Sequence, residues 1–472
     1  MKKVFVSGHF NILHPGHLRL LRFAKELGDK LIVGLESDRI AGESAYITQN
    51  LRFESLKEIN WIDEVLIFDE KLDKFLEKIK PNIILKGNEF KSQNNIESKY
   101  IDKFGGKLIF FSGNKLFSTK DLLRQEFLNS DKAPINFPHK YFNRHNISNI
   151  ELKKIVNKFS ELKICVLGDL IIDEYISCEP LGMSQEDPTI VVSPNDFTKF
   201  IGGAGIVAAH AASLGANVEF ISVAGNDKIN DFALKELHRH NVHPTLLIDE
   251  NRPTTLKQRF RSKQKTLLRV SYLHQNKISE ELQLKIFEKI EDISSDIDLF
   301  VFSDFNYGCL PQKMVNKIIE LLKSKNIFIS ADSQSSSQIG DISRFKQMGL
   351  ITPTEHEARL SLKDINSGLV FLAEKIKNKA IAENCFLKLG SEGLLVQSND
   401  KNFITDRLDA LNSSPKDSAG AGDSLLIVSS MVLALKGNIW MAAGLGSLAA
   451  AIQVGRVGNV PLKLNEILNE IK

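Results

Sequence analysis

"VFVSGHFNILHPGHLRLLRFAKELGDKLIVGLESD", Val4 to Asp38, reads as a strand, a loop, a helix and a second strand. Pro15 suits the first turn of the helix, where its missing N–H costs nothing, and Gly16 lets backbone approach a ligand closely. Short apolar runs alternate with longer amphipathic segments almost from end to end, which is the pattern of helices covering a mainly parallel sheet. The chain is therefore α/β.

A length of 472 residues exceeds one ordinary domain and suits two or three. The first set of runs, "KVFVSG", "KLIVGLE", "EVLIF", "NIILKG" and "KLIFFSG", ends near residue 130 and defines a first domain, 1–130. The segment "NSDKAPINFPHKYFNRHN" from Asn129 is polar, holds two prolines and lacks apolar periodicity, so residues 131–158 are expected to be a linker. Strand-like runs resume at "LKICVLGD" from Leu162, giving a second domain over 159–472. Within it, "PTIVVSPNDFTKF" from Pro188 and "TTLKQRFRSKQKTLLRV" from Thr254 show β-branched alternation without helical spacing, as an appended antiparallel flap would.

A net charge of +3 is too small to point to nucleic acid or a membrane surface as an electrostatic partner, which leaves small-molecule chemistry. The four cysteines form no C-x-x-C pair, against a disulfide framework or a zinc knuckle, and suit a reducing cytoplasm. The apolar stretch after Lys3 stops after three residues, too short for a signal peptide. "LLIVSSMVLAL" from Leu425 is well short of a membrane span. A soluble, cytoplasmic protein is expected, self-associating as a homo-oligomer, for instance a dimer, through the open edge of its flap.

Two clusters carry chemistry. In "HFNILHPGH", His14 and His17 fall three apart at the start of the first helix, where free N–H groups and the helix dipole already attract anions. With Gly8 they make a candidate phosphate clamp; surface histidines are the plain alternative, and a zinc site lacks a third ligand at the usual spacing. In "DSAGAGDSLL", Gly420, Ala421 and Gly422 offer consecutive N–H groups for an anion hole, followed directly by the carboxylate of Asp423. Phosphoryl transfer to an alcohol needs that pairing of base and oxygen donors.

"GHFNILHPGH" resembles the H-x-G-H signature of the cytidylyltransferase-like nucleotidylyltransferases over about the first 128 residues. The resemblance implies a Rossmann-like domain in which His14 and His17 are catalytic and bind the nucleotide phosphates. Lys86, Ser118 and Thr119 join them, and Arg52 is a further candidate. His9 and Asn11 stand where that family usually has cysteine or threonine and aspartate.

"GDLIIDEY" from Gly168, "IGGAG" from Ile201, "TPTEHE" from Thr352, "KLGSEG" from Lys388 and "GAGD" resemble, in order, the PfkB or ribokinase-like sugar kinases over about 160–465. By that resemblance Asp423 is the catalytic base. Asp169, and after it Asp173, holds sugar hydroxyls with Gly202 and Gly203 nearby. Glu357 organises Mg2+ through water, and Lys388, Gly390 and Gly393 border the nucleotide. Thr354 replaces the family's usual asparagine. No G-x-x-x-x-G-K-[ST] occurs, which excludes a Walker-type kinase.

"MSQEDPTIVV", "KQRFRSKQKTLLRV", "SDFNYG" and "ASLGANVEFISVAGND" are most similar to the kinase half of the bifunctional ADP-heptose synthesis family, and "LGDKLIVGLESD" and "ESKYIDKFGGKLIF" to its transferase half, here in reversed order. The implied substrates are a sugar phosphate and ATP, with CTP a possible nucleotide for the transferase. "ADSQSSSQIGDISRF" from Ala331 departs from that family's D-P-K-G, replacing a lysine by Gln334. Lys257, Arg259, Arg261 and Arg269 are candidates for the missing charge, Arg269 as a sugar-site residue. Two other readings stay open: a kinase and cytidylyltransferase for another sugar or polyol, and a sugar or nucleotide sensor without turnover.

Overall fold

The computed structural model describes residues 2–13, 15–87, 96–111, 135–262, 265–335, 340–400 and 404–471. The chain forms two compact units, Met1–Ser130 and Asp131–Lys472.

In the first unit, β1 (Lys3–Gly8), β2 (Lys30–Glu36), β3 (Glu64–Phe68), β4 (Ile83–Gly87) and β5 (Lys107–Phe111) form one parallel sheet in the order β3-β2-β1-β4-β5. Val4, Leu31, Val33 and Leu85 point to one side, and Phe5, Ile32 and Ile84 to the other. Both faces are covered, which is why these strands read as continuous apolar runs. The order reverses between β1 and β4, so a crevice opens beyond their carboxyl ends, where Gly8 and Lys86 lie.

The second unit has a nine-stranded sheet built from β6 (Lys163–Gly168), β9 (Asn217–Ala224), β10 (Val242–Ile248), β13 (Leu299–Asp304), β14 (Phe328–Ser333), β15 (Leu350–Ile351), β16 (Asn384–Lys388), β17 (Leu394–Gln397) and β18 (Thr405–Leu408). Its order is β10-β9-β6-β13-β14-β15-β16-β17-β18, parallel up to β16 and antiparallel beyond. The helices Ala204–Ser213, Ala421–Ala434 and Ile439–Val454 are apolar nearly all round because they lie inside this unit. The apolar stretch from Leu425 is one of them. Among the described residues, no helix is long and apolar enough to cross a membrane.

The flap consists of β7 (Leu170–Met183), β8 (Ile190–Gly203), β11 (Thr255–Ser262) and β12 (Lys265–Tyr272), in the order β12-β11-β7-β8. It departs from the antiparallel expectation in one place: β11 pairs with β7 in parallel. The long strand β7 grows directly out of the "GDLIIDEY" segment, so the flap and the end of β6 share one motif.

The expected linker is mostly not one. Residues His139–Arg144 and Asn149–Asn157 are helical, Ile135 bridges to Asn412, and Tyr141, Phe142, Leu152 and Val156 are buried in the core of the second unit. The prolines around the first helix hid its spacing. His145 stacks on Trp440 at 4.2 Å and lies 2.7 Å from Asp406, pinning that helix end to the core. Phe142 presses so close to Gly444 that a Cβ there would lie 2.4 Å from its ring. Phe142→Ala is expected to destabilise the second unit by about 3–5 kcal/mol in a denaturant titration, as loss of a core aromatic does; an effect under about 1 kcal/mol would show a loosely attached segment.

Candidate active sites

In the first unit His14, Ser118 and Thr119 lie outside the described residues. His17 sits in the first turn of the helix Pro15–Glu26, its Nδ1 3.1 Å from the Ile12 carbonyl and its ring edge-on to Phe10. A carbonyl oxygen only accepts, so Nδ1 carries a proton; donating to a phosphate from Nε2 then requires the imidazolium. Gly8 closes β1 at the switch point, and Lys86 on β4 pairs with the buried Glu97 at 2.8 Å.

Arg52 is redirected by the structure. Its side chain is fully buried and donates to the carbonyls of Ile47 and His9, both at 2.7 Å, and to Asp38 at 2.6 Å. It ties the loop after β1 to the segments around it, and these commitments explain the residue without a phosphate. Asn11 acts likewise, donating to the Ser44 carbonyl and accepting from the Tyr46 amide. His9 Nδ1 lies 3.1 Å from Glu36.

In the second unit the helix Ala421–Ala434 begins at Gly420, which sits at φ +75°, the left-handed conformation that glycine takes without strain. The first amides of a helix have no carbonyl four residues back: Ala421 N–H reaches the Ser418 carbonyl at 3.5 Å, and among the described residues the Gly422 and Asp423 N–H groups have no backbone acceptor. Asp423 is buried and its Oδ1 has no hydrogen-bond partner among the described residues. Burial, and then the charge of Asp332, push its carboxyl up to about 7, while Lys388 pulls it down. A carboxylate titrating there is poised as a base at neutral pH.

Lys388 ends β16 and reaches across to Asp332, the fifth residue of β14, at 3.0 and 3.1 Å. Burial pulls its ammonium down, but Asp332, Glu357 and Asp423 more than offset this and hold its pKa above the ordinary value. Gly390 and Gly393 shape the turn from β16 to β17. Gly393 sits at φ +92° with a Cβ position 2.1 Å from the Leu408 carbonyl, so only glycine fits, whereas Gly390 at φ +61° faces open space.

Asp169 and Asp173 are held differently. Asp169 accepts from the backbone amides of Phe305, Tyr307 and Cys309, fastening the loop after β13. Asp173, on the inner face of the flap, accepts from Asn459 Nδ2 at 3.0 Å and Arg259 at 3.3 Å. A Cβ on Gly202 would lie 2.4 Å from its carboxylate, and one on Gly420 would lie 2.7 Å from Asn459 Oδ1. Asp173 is thereby tied, through Asn459, to the same turn as Asp423. Burial raises its pKa against the pull of Arg259 and Lys257. Asn459 was not legible in the sequence: it stands 36 residues beyond Asp423, in a turn with no motif of its own.

Glu357 accepts from the Thr354 amide at 2.7 Å and the Ser335 amide at 3.1 Å, while Thr354 Oγ1 accepts from the Glu357 amide. Thr354 thus caps the helix Glu355–Leu362, the work expected of the residue it replaces. Arg269 is exposed on the outer strand β12, opposite Arg259 in register, and Arg259 rather than Arg269 meets Asp173. Among the described residues no three histidine, cysteine or carboxylate side chains form a metal cage. Mg2+ ordinarily rides on nucleotide phosphates with few protein ligands, so Glu357 is the residue that would hold its outer waters.

A mostly parallel sheet, a flap that brings Asp173 toward a glycine-started helix, and a buried acid in the first turn of that helix define a ribokinase-like α/β protein. The pattern of the pfkB family of carbohydrate kinases matches residues 161–463, and the chain belongs to that family. Residues 5–107 match the cytidylyltransferase-like pattern. The chain is 30% identical over 322 residues to the bifunctional protein HldE of Desulfatibacillum aliphaticivorans, covering 67% of this chain and 64% of that protein. It is 29% identical over 311 residues to HldE of Aliarcobacter butzleri (strain RM4018), covering 64% and 63%. It thus spans just under two thirds of these relatives' length.

The fold is shared with Arabidopsis thaliana ribokinase complexed with ribose and ATP, at a TM-score of 0.53 and 14% identity over 66% of this chain and 99% of that one. Phosphofructokinase-2 from Escherichia coli in complex with fructose-6-phosphate matches at 0.55 and 15%, over 66% and 98%.

The raised pKa of Asp423 has a consequence for stability. Its folded pKa of about 7 lies above the ordinary 3.8, so folding takes up a proton and the protein loses stability as pH rises from about 4 to 7. Asp423→Asn removes that loss. The variant is expected to melt higher than the parent at pH 8, with the gap closing as pH falls toward 4 in a calorimetric series; an unchanging gap would show that Asp423 keeps an ordinary pKa.

Proposed function

We propose that the chain is a bifunctional enzyme: its second unit phosphorylates a heptose-like sugar phosphate with ATP, and its first unit transfers a nucleotidyl group to the sugar 1-phosphate. The product is an NDP-sugar, ADP-heptose on the nearest resemblance, and pyrophosphate. The observation that carries the kinase half is Asp423: a buried carboxylate, raised to about 7, whose Oδ1 has no hydrogen-bond partner among the described residues and which lies in the first turn of a helix. The sugar hydroxyl gives its proton to Asp423 as its oxygen attacks the γ-phosphorus, and the helix amides receive the charge that builds on the phosphoryl oxygens. Mg2+, held through water by Glu357, would neutralise the nucleotide phosphates. Gly390 and Gly393 border the nucleotide, and Asp173, Gly202 and Gly203 hold the sugar.

An anionic acceptor is supported by the flap. Lys257, Arg259 and Arg261 alternate along one face of β11, beside Asp173 and Tyr175 on β7. Arg259 and Arg261 lie over the Tyr175 ring and Lys257 over Phe305 and Tyr307, so three cations crowd a surface on which Asp173 and the half-buried Asp417 are the carboxylates that act on Arg259 among the described residues. Like charges held this close favour a phosphate between them. The flap exposes Leu181, Met183, Phe197 and Leu268, which supports the homo-oligomer expected from its edge.

For the transferase half, His17 at a helix start beside the switch point supports the nucleotide phosphate role, with His14, Ser118, Thr119, Gly8 and Lys86 completing it by resemblance. The transferase precedes the kinase, the reverse of the arrangement that the resemblance brings to mind. CTP in place of ATP, or another sugar phosphate, leaves the same residues in the same roles.

Incubation with heptose 7-phosphate and ATP is expected to release ADP and pyrophosphate and to form an NDP-sugar seen by mass spectrometry. ADP without any NDP-sugar would sink the coupled scheme. Asp423→Asn is expected to lower the kinase rate by about 10³-fold, the scale of general-base loss, while sugar 1-phosphate is still nucleotidylated. His17→Ala should do the converse, slowing the transferase roughly 10²-fold or more and sparing the kinase.

A further inference from the structure

Lys388 does more in this geometry than border a nucleotide. Its stem runs directly over the anion-hole turn: a Cβ on Gly422 would lie 3.2 Å from Nζ, 3.8 Å from Cδ and 3.9 Å from Cε. The small residue at 422 is what gives the ammonium its place beside the first amides of the helix. The backbone fixes the other end, because Lys388 N donates to the Pro353 carbonyl at 2.8 Å and the residue bridges to Thr354. Both ends of the side chain are therefore set, one by the sheet and one by Asp332.

The charges around it are unbalanced. Asp332, Glu357 and Asp423 all act on Lys388. Between Asp332 and Arg344 the chain offers no lysine or arginine, and Arg344 is spent on Asp304 at 2.9 Å. Gln334 stands where the strand β14 runs out, so that strand brings no cation of its own. An ammonium has three donors, and among the described residues the bonds it makes go to the two oxygens of one residue, Asp332.

We propose that Lys388 is a catalytic residue of the kinase site, its ammonium contacting the phosphoryl group in transfer as a side-chain member of the Gly420–Gly422 anion hole, with Asp332 as its positioning residue. The proposal rests on the kinase reading above. The acceptor oxygen forms a bond to the γ-phosphorus of ATP, the bond from that phosphorus to the bridging oxygen breaks, and ADP leaves with the electron pair. The hydroxyl proton passes to Asp423. Lys388 keeps its three protons throughout and neutralises charge on the equatorial oxygens. The cation that this chain lacks after Asp332 is thus delivered from the neighbouring end of the sheet.

The test uses the full-length protein and the best acceptor of a sugar phosphate panel. Lys388→Met is expected to lower kcat roughly 100-fold, the scale seen on losing one oxyanion donor, while the KM for the acceptor moves less than about threefold. Ethylammonium added to Lys388→Ala is expected to restore part of the rate in a saturable way, which a purely structural role would not allow. Lys388→Met combined with Asp332→Asn is the decisive control. If Lys388 only neutralises a buried Asp332, the pair recovers to within about fivefold of the parent and the assignment is overturned; if it stays as slow as Lys388→Met, the assignment stands. A parent protein that phosphorylates no acceptor defeats the kinase reading and this assignment together. An active parent beside an equally active Lys388→Met defeats the assignment alone.

Discussion

A carboxylate that is buried without a partner costs free energy, and the second unit is arranged around keeping one. Asp423 sits at the start of a helix that is otherwise apolar, inside the core, with one oxygen unbonded. Its neighbours answer that constraint. The first amides of the helix give the local potential a positive sign, Lys388 pulls its pKa down, and Asp332 and burial push it up. The balance leaves a group that changes charge near neutrality, which is the property a base for an alcohol needs.

The glycines follow from the same constraint. Gly202, Gly420 and Gly422 each stand where a Cβ would collide with, or crowd, a side chain of the site: Asp173, Asn459 and Lys388. Their value lies less in flexibility than in letting three polar side chains approach one turn. A Gly-rich motif in the sequence therefore marks close approach, and the residue that makes the approach can lie far away in the chain. Asn459 and Lys388 are both of that kind.

The α/β class, the two units and the flap were legible because periodicity is local: strands buried on both faces read as apolar runs, and the flap as alternation. So was the helix start at Gly420 with Asp423 in its first turn. The helix His139–Arg144 was not, since two prolines and a polar composition masked a short pair of buried aromatics. Asp169 and Asp173 both come just after the first strand of the second unit; only the loop after β13, 136 to 140 residues beyond Asp169, shows that Asp169 accepts from backbone amides. Arg52 looked like a phosphate ligand and proved to be a buried tie, a distinction that depends on carbonyls brought in from other segments.

By itself the sequence determined the order of the elements, the helix start at Gly420, and the acid that follows it, all of which are set within a few residues by spacing and glycine. The tertiary structure decided which charges meet. Lys388 with Asp332, Arg259 with Asp173 and Asn459 with both Asp173 and the Gly420 turn are pairs separated by tens to hundreds of residues. Electrostatic partnership depends on a few ångströms through space, and that distance exists only once the sheet has set its strands side by side.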